Sequence, residues 1–173
     1  MKNFAKSKYD NESSSYEKWM HALNYVQSMQ AFLRTQKVEL KEDASILDLG
    51  CGTGLATTVL KEMYPKAEIV GFDFSKSMLE VCRKKLPDVE LVSGDFNEGD
   101  LGLLKGNFDL IVSTGALSEY AELEKILPQL RDLLQKDGVL LVLGIIKAPI
   151  GWLQSKMWHF KLIGRDGFMK ACE

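Results

Sequence analysis

Residues 46–54 read Ile-Leu-Asp-Leu-Gly-Cys-Gly-Thr-Gly, a short apolar run that ends in three glycines at alternate positions. No other stretch restricts the fold as much. The run 46–49 has the character of a buried strand and residues 55–64 have helical spacing, so Gly50, Gly52 and Gly54 stand where a parallel strand turns sharply at its carboxyl end. Glycine allows the backbone angles and the close ligand approach that such a turn requires.

The same alternation continues downstream. Apolar, β-rich runs at 46–49, 68–72, 89–92, 108–112 and 139–146 predict strands, and the segments near 55–64, 75–86 and 119–135 predict helices. This is the pattern of an α/β, Rossmann-like, doubly wound and mostly parallel sheet with helices on both faces. The connection 96–107, with Gly99, Gly102 and Gly106, reads as a short helix or a loop. Upstream, Tyr16, Trp19, Met20, Leu23, Val26, Met29 and Phe32 recur at three- and four-residue spacings, which predicts one amphipathic helix over 9–36. Ser13, Ser14 and Ser15 offer caps for its start.

No repeat, low-complexity tract or linker divides the 173 residues, a length that suits one domain. Apolar residues make up 46% and charged residues 27%, as in ordinary globular chains. The formal charge is only −2 and the basic residues are interspersed with acids, which argues against a nucleic-acid partner. Cys51, Cys82 and Cys172 are widely spaced, with no Cys-x-x-Cys pair or nearby histidine. That argues against a disulfide framework and a zinc site and suits a reducing, cytoplasmic compartment; no metal is expected. The start lacks a signal-peptide core, and the longest apolar run, 139–146, is far short of the ~20 residues that a membrane span needs. A soluble protein is expected.

Three carboxylates mark the strand ends. Asp48 precedes the glycine turn, where an acid suits a ligand carrying an ammonium group better than a pyrophosphate. A dinucleotide loop has the spacing Gly-x-Gly-x-x-Gly, but Leu55 and Thr57 occupy the third glycine position in the two registers available. Asp73 ends the second strand, 19 positions after Gly54, the distance at which nucleotide-binding units place a ribose-binding acid. Asp95 follows the third strand with Phe96 beside it and could accept a hydrogen bond from an adenine amine. Taken singly, each of these acids also suits a helix cap or a solvated turn; beside the glycine turn they read as one site.

On these residues, over roughly 45–146, the chain resembles class I S-adenosylmethionine-dependent methyltransferases of the small-molecule and quinone group. The resemblance implies S-adenosylmethionine as cofactor, S-adenosylhomocysteine as product and a small, apolar or aromatic acceptor. It puts Asp48, Gly50, Cys51, Gly52, Thr53 and Gly54 beside the methionine moiety, Asp73 on the ribose, and Gly94, Asp95 and Phe96 at the adenine. In Phe74-Ser75-Lys76-Ser77-Met78 it sets Met78 against the adenine ring, while Ser75 also reads as an N-cap and Met78 as a core residue. Ser113, Thr114 and Gly115 become the active-site floor. Relatives often carry histidine soon after the Ala116-Leu117 pair, whereas this chain reads Ser118-Glu119-Tyr120, which leaves the catalytic base unassigned. His21, Glu119, His159, Tyr16 and Tyr9 are the candidates.

The resemblance further implies a single methyltransferase domain over 1–173. Within it, 1–40 form N-terminal cap helices that cover the cofactor, 45–146 the cofactor-binding core, and 147–173 an acceptor-side helix around Trp152 to Phe160 with a truncated C-terminal helix. A competing reading lets Trp152, Trp158 and Phe160 touch a membrane surface, with only Lys156 and Lys161 as nearby cations. The family's C-terminal hairpin is expected to be missing, which exposes a sheet edge through which a homodimer could form. Two other functions share parts of the pattern: a nicotinamide-dependent oxidoreductase, and a non-catalytic subunit that retains the cofactor pocket.

Overall fold

The structure, a computed structural model, describes residues 15–36 and 38–144. The expectations for Tyr9, for the helix around 152–160, for His159 and for the C-terminal hairpin lie outside these residues. Within them, β1 (Ser45–Leu49), β2 (Glu68–Asp73), β3 (Glu90–Ser93), β4 (Phe108–Thr114) and β5 (Leu134–Leu143) form one all-parallel sheet in the order β3-β2-β1-β4-β5. The chain runs outward from β1 through β2 to β3, then crosses to β4 and β5 on the other side. The topological switch point therefore lies between β1 and β4, where an open α/β sheet leaves a crevice for ligands.

Strand alternation divides the core between the two faces. Ile46, Leu110 and Val112 join Val26, Met29 and Leu33 of α2 (Tyr25–Gln36) and Ala56, Val59 and Leu60 of α3 (Leu55–Met63). Leu47, Leu49, Phe72 and Ile111 pack instead with Phe96, Leu117 and the Leu123, Ile126 and Leu130 stripe of α6 (Leu123–Leu133). α4 (Lys76–Lys85) lies against β2 and β3. Both faces of the sheet are thus covered, as the apolar character of the strands requires.

Two predicted helices are each divided. The stretch read as one helix over 9–36 is, from residue 15, a helix over 15–22 (α1) followed by α2, with Asn24 between them at a φ of 60°. Asparagine tolerates this left-handed conformation, so the apolar spacing continues across a break that periodicity does not reveal. The stretch read as 119–135 is a short α5 (Leu117–Tyr120) followed by α6. Here Asn97 intervenes from a distance: its Oδ1 accepts the Glu122 N–H at 3.0 Å and its carbonyl accepts Lys125 Nζ at 2.7 Å, which fixes the start of α6. The ambiguous connection contains two short 3-10 turns, Phe96–Glu98 and Asp100–Leu103. β5 starts at Leu134, earlier than expected, and pairs with β4 through an irregularity between Phe108 and Leu110.

The core assignment has a direct consequence. Leu60→Ala removes a side chain that is 1% exposed between α3 and the sheet and is expected to cost about 2–5 kcal/mol. Leu103→Ala, at a position 55% exposed, is expected to stay within about 0.5 kcal/mol of the parent. Denaturant unfolding of the two variants checks both.

Candidate active site

Because every strand is parallel, the carboxyl ends of β1, β2 and β3 lie on one edge of the sheet, and Asp48, Asp73 and Asp95 come with them. The glycine turn between β1 and α3 is held from β2. Gly50 N–H and Cys51 N–H both donate to the Phe72 carbonyl, at 2.7 and 3.1 Å. Gly52 N–H donates to Asp73 Oδ2 at 2.9 Å, and Gly54 N–H to the Cys51 carbonyl at 2.9 Å. Four loop amides are therefore engaged by protein oxygens. A pyrophosphate-binding turn works by presenting such amides to the anion, so this loop is poorly suited to a dinucleotide.

Local packing explains two of the glycines. Gly50 and Gly54 have φ values of +79° and +82°. A Cβ at Gly50 would lie 2.1 Å from Ala116 Cβ, and one at Gly54 would lie 2.6 Å from Cys82 Sγ. The first close approach joins the glycine turn to the turn after β4. The second seats it on α4.

Asp73 is the organising acid. Its Oδ2 accepts Gly52 N–H while its Oδ1 accepts Ser75 N–H at 2.8 Å, so one nearly buried carboxylate holds the glycine turn and the start of α4 together. Ser75 caps that helix through its hydroxyl, which accepts Met78 N–H at 3.3 Å; Met78 itself is 2% exposed. The N-cap and core readings of these two residues thus describe their geometry. Phe74 is half-buried beside them.

Asp48 is fully buried. Its Oδ2 accepts the Thr57 hydroxyl at 2.5 Å, but its Oδ1 has no partner. Its pKa is raised to about 7: burial is the main cause, the Thr57 hydrogen bond opposes it, and the Asp73 charge adds to it. The neighbouring Cys51 thiol is also pushed up, by its contact with Cys82, by burial and by the Asp73 and Asp48 charges. Two acids and two free buried cysteines are thus packed behind the glycine turn. Such an arrangement favours a cation at the crevice.

At the third strand end, Asp95 Oδ1 accepts Asn97 N–H at 2.9 Å and caps the first 3-10 turn, and Asp95 N–H donates to Asp100 Oδ2 at 2.9 Å. Phe96 turns inward and is 5% exposed in the core. Gly94 lies against Phe72 and Asp100, where a Cβ would meet their side chains at 2.9 and 2.7 Å. Past β4, Ser113 is fully buried and its hydroxyl accepts Leu117 N–H at 3.0 Å, while Thr114 and Gly115 are partly exposed. Gly115 N–H reaches across to the Leu143 carbonyl at 2.8 Å.

Of the candidates for a base, the side chains of His21 and Tyr16 are described, both on α1. His21 is exposed on α1, and Tyr16 packs on the core from the same helix. The Glu119 side chain and His159 lie outside the described side chains. Three site features have no clear sequence signal: Thr57 as donor to Asp48, the Ser118 hydroxyl, which is buried without a partner, and Glu17. Glu17 of α1 forms an ion pair with Lys85 in the last turn of α4 and also faces Thr53 of the glycine turn. Burial raises its pKa, but Lys85, then the Thr53 hydroxyl and the Lys85 and His21 charges, hold it below the usual range. Thr53 Oγ1 nevertheless has no hydrogen bond of good geometry. α1 is thereby held at the glycine turn. Among the described residues no helix is long and apolar enough to cross a membrane.

Comparison with known proteins accords with this geometry. A family model described as a methyltransferase domain matches residues 40–156. The trans-aconitate 2-methyltransferase of Deinococcus radiodurans is 37% identical over 100 residues, covering 57% of this chain and 37% of that enzyme. The demethylmenaquinone methyltransferase of Thermotoga maritima is 28% identical over 164 residues, covering 93% and 70%. Among solved structures, Rickettsia typhi PKMT2 in complex with AdoHcy is 36% identical with a TM-score of 0.53 over 60% of this chain and 21% of its own. Haemonchus contortus phosphoethanolamine N-methyltransferase 2, in complex with S-adenosyl-L-methionine, shares the fold at 16% identity, with a TM-score of 0.67 over 84% of this chain and 35% of its own. The chain spans between 37% and 70% of the length of these two curated relatives. With the matched model extending from before β1 to beyond β5, the chain belongs to the methyltransferase-domain family.

Proposed function

We propose that this chain transfers the methyl group of S-adenosylmethionine to a small, apolar or aromatic acceptor by direct displacement. The observation that carries the proposal is the buried, unpaired Asp48 Oδ1 behind a glycine turn whose amides are already engaged. That combination suits an ammonium-bearing ligand and disfavours a diphosphate. It supports this reading over a nicotinamide-dependent oxidoreductase. Two of the similar solved proteins carry AdoHcy or S-adenosyl-L-methionine. When bound, this cofactor supplies an electrophilic methyl on a sulfonium.

The residues then divide the work. Asp48 and the turn Gly50, Cys51, Gly52, Thr53, Gly54 take the methionine end. Asp73 takes the ribose; a carboxylate can accept about four hydrogen bonds, so it can keep Gly52 and Ser75 while it binds a hydroxyl. Phe74, Ser75 and Met78 with Gly94, Asp95 and Phe96 bound the adenine side, and Ser113, Thr114 and Gly115 form the floor under the methyl. Displacement at a methyl needs alignment and exclusion of water more than a particular base, and no base is assigned. Residues 1–40 serve as the cap, 45–146 as the cofactor core and 147–173 as the acceptor wall. A cytoplasmic setting suits the free thiols of Cys51 and Cys82. A small-molecule acceptor without nucleic acid, and the edge strand β5 as a homodimer surface, complete the proposal.

Two measurements test it. Calorimetric titration is expected to show binding of S-adenosylmethionine and S-adenosylhomocysteine and none of NAD; the reverse preference contradicts the proposal. Asp73→Ala is expected to weaken that binding by about 1–3 kcal/mol, the scale of lost charge-assisted hydrogen bonds. The second measurement uses pH. Since the folded protein holds the Asp48 proton up to about pH 7, above its ordinary value of 3.8, the stability contributed by that proton is complete below about pH 4 and is lost as pH rises through 7. An ammonium favours the ionised form, so affinity should run the other way and fall up to about tenfold between pH 7.5 and pH 6. Asp48→Asn should flatten that slope.

A further inference from the structure

The turn after β4 connects the glycine loop to the end of β5. Ala116 abuts Gly50 on one side, Gly115 N–H bonds the Leu143 carbonyl, and Ser118 lies against Gly144 on the other side, where an added Cβ would come within 2.6 Å of Ser118 Oγ. Ser118 is 9% exposed, and its hydroxyl has no hydrogen-bond partner. A serine in the first turn of a helix normally satisfies itself through nearby backbone or through water, and a buried hydroxyl left unpaired is costly. Its neighbour Ser113 shows the ordinary outcome, with its hydroxyl capping Leu117 N–H. The orphan follows β4, on the β4–β5 side of the switch point and next to the proposed floor under the methyl.

We propose that Ser118 is a specificity-determining residue whose hydroxyl binds a neutral oxygen, a hydroxyl or carbonyl, on the methyl acceptor. This rests on the methyltransferase reading above. The choice of a neutral oxygen over a carboxylate follows from charge. Residues 113–118 and 139–144 contain no Lys or Arg, while Asp48 lies on the neighbouring strand β1, in register with Val112. A carboxylate here would have no described counter-charge, whereas a phenolic or enolic hydroxyl can both donate to and accept from a serine.

The test titrates the protein, loaded with S-adenosylhomocysteine, with 1-naphthol as a neutral probe and trans-aconitate as a carboxylate probe, using the parent, Ser118→Ala and Ser118→Thr. The expected result is 1-naphthol binding that falls about tenfold in Ser118→Ala and returns in Ser118→Thr, with S-adenosylhomocysteine affinity unchanged. Because the hydroxyl has no partner in the free protein, Ser118→Ala should keep or slightly raise the melting temperature, which a purely structural serine would not do. Equal 1-naphthol affinity in the parent and Ser118→Ala, no 1-naphthol binding, or tighter binding of trans-aconitate overturns the proposal. Failure of S-adenosylhomocysteine to bind overturns the methyltransferase reading, and this proposal with it.

Discussion

The crevice depends on the two-sided grip of Asp73. One oxygen holds Gly52 N–H and the other holds Ser75 N–H, so a single carboxylate fixes the glycine turn to the start of α4. Phe72, one residue earlier, takes the amides of Gly50 and Cys51. The end of β2 therefore orders the loop that follows β1 through bonds within the protein. Preorganisation of this kind lowers the ordering cost of binding and fixes where ligand groups can sit. On the proposed function it also couples two roles: an acid that orients a ligand hydroxyl while it orients the loop cannot be replaced without disturbing both.

The second constraint is charge. Asp48 lies in the central strand with one oxygen satisfied by Thr57 and the other unpaired, and Asp73 stands near enough to oppose its ionisation. A buried carboxylate in such a place either keeps its proton or waits for a cation. Thr53 and Ser118 are the other two buried orphans among the described residues, and both lie at the carboxyl ends of the central strands. Unpaired polar atoms gathered on one edge of an otherwise satisfied sheet are what a polar ligand site looks like before it is filled. The glycines add a steric term, since Gly50 and Gly54 let Ala116 and Cys82 press against the turn.

Much of this was legible in the residues alone. The parallel sheet covered on both faces follows from apolar runs alternating with helical spacing, and the acids at 48, 73 and 95 come to one edge because parallel strands share one carboxyl edge. What escaped depends on contacts distant in the chain. Asn97 sets the start of α6 from 25 residues away, and Asn24 breaks the N-terminal helix without breaking its apolar spacing. Neither leaves a periodic trace. Phe96 packs into the core directly after the strand-end acid Asp95. Aromatic character alone does not tell which way a side chain turns from a strand end. Glu17, Thr57 and Ser118 escaped for the same reason: an ordinary acid or hydroxyl gains significance only from what surrounds it.

On the proposed function, the loop is already built for an ammonium-bearing cofactor and does not reorganise to receive it. A crystal structure of the chain with S-adenosylhomocysteine tests this most directly. The account predicts the ligand in the crevice between β1 and β4, its ribose hydroxyls on Asp73 and the Gly52 N–H still bonded to Asp73 Oδ2. A ligand bound elsewhere, or a glycine turn that opens and turns its amides toward the ligand, would contradict it.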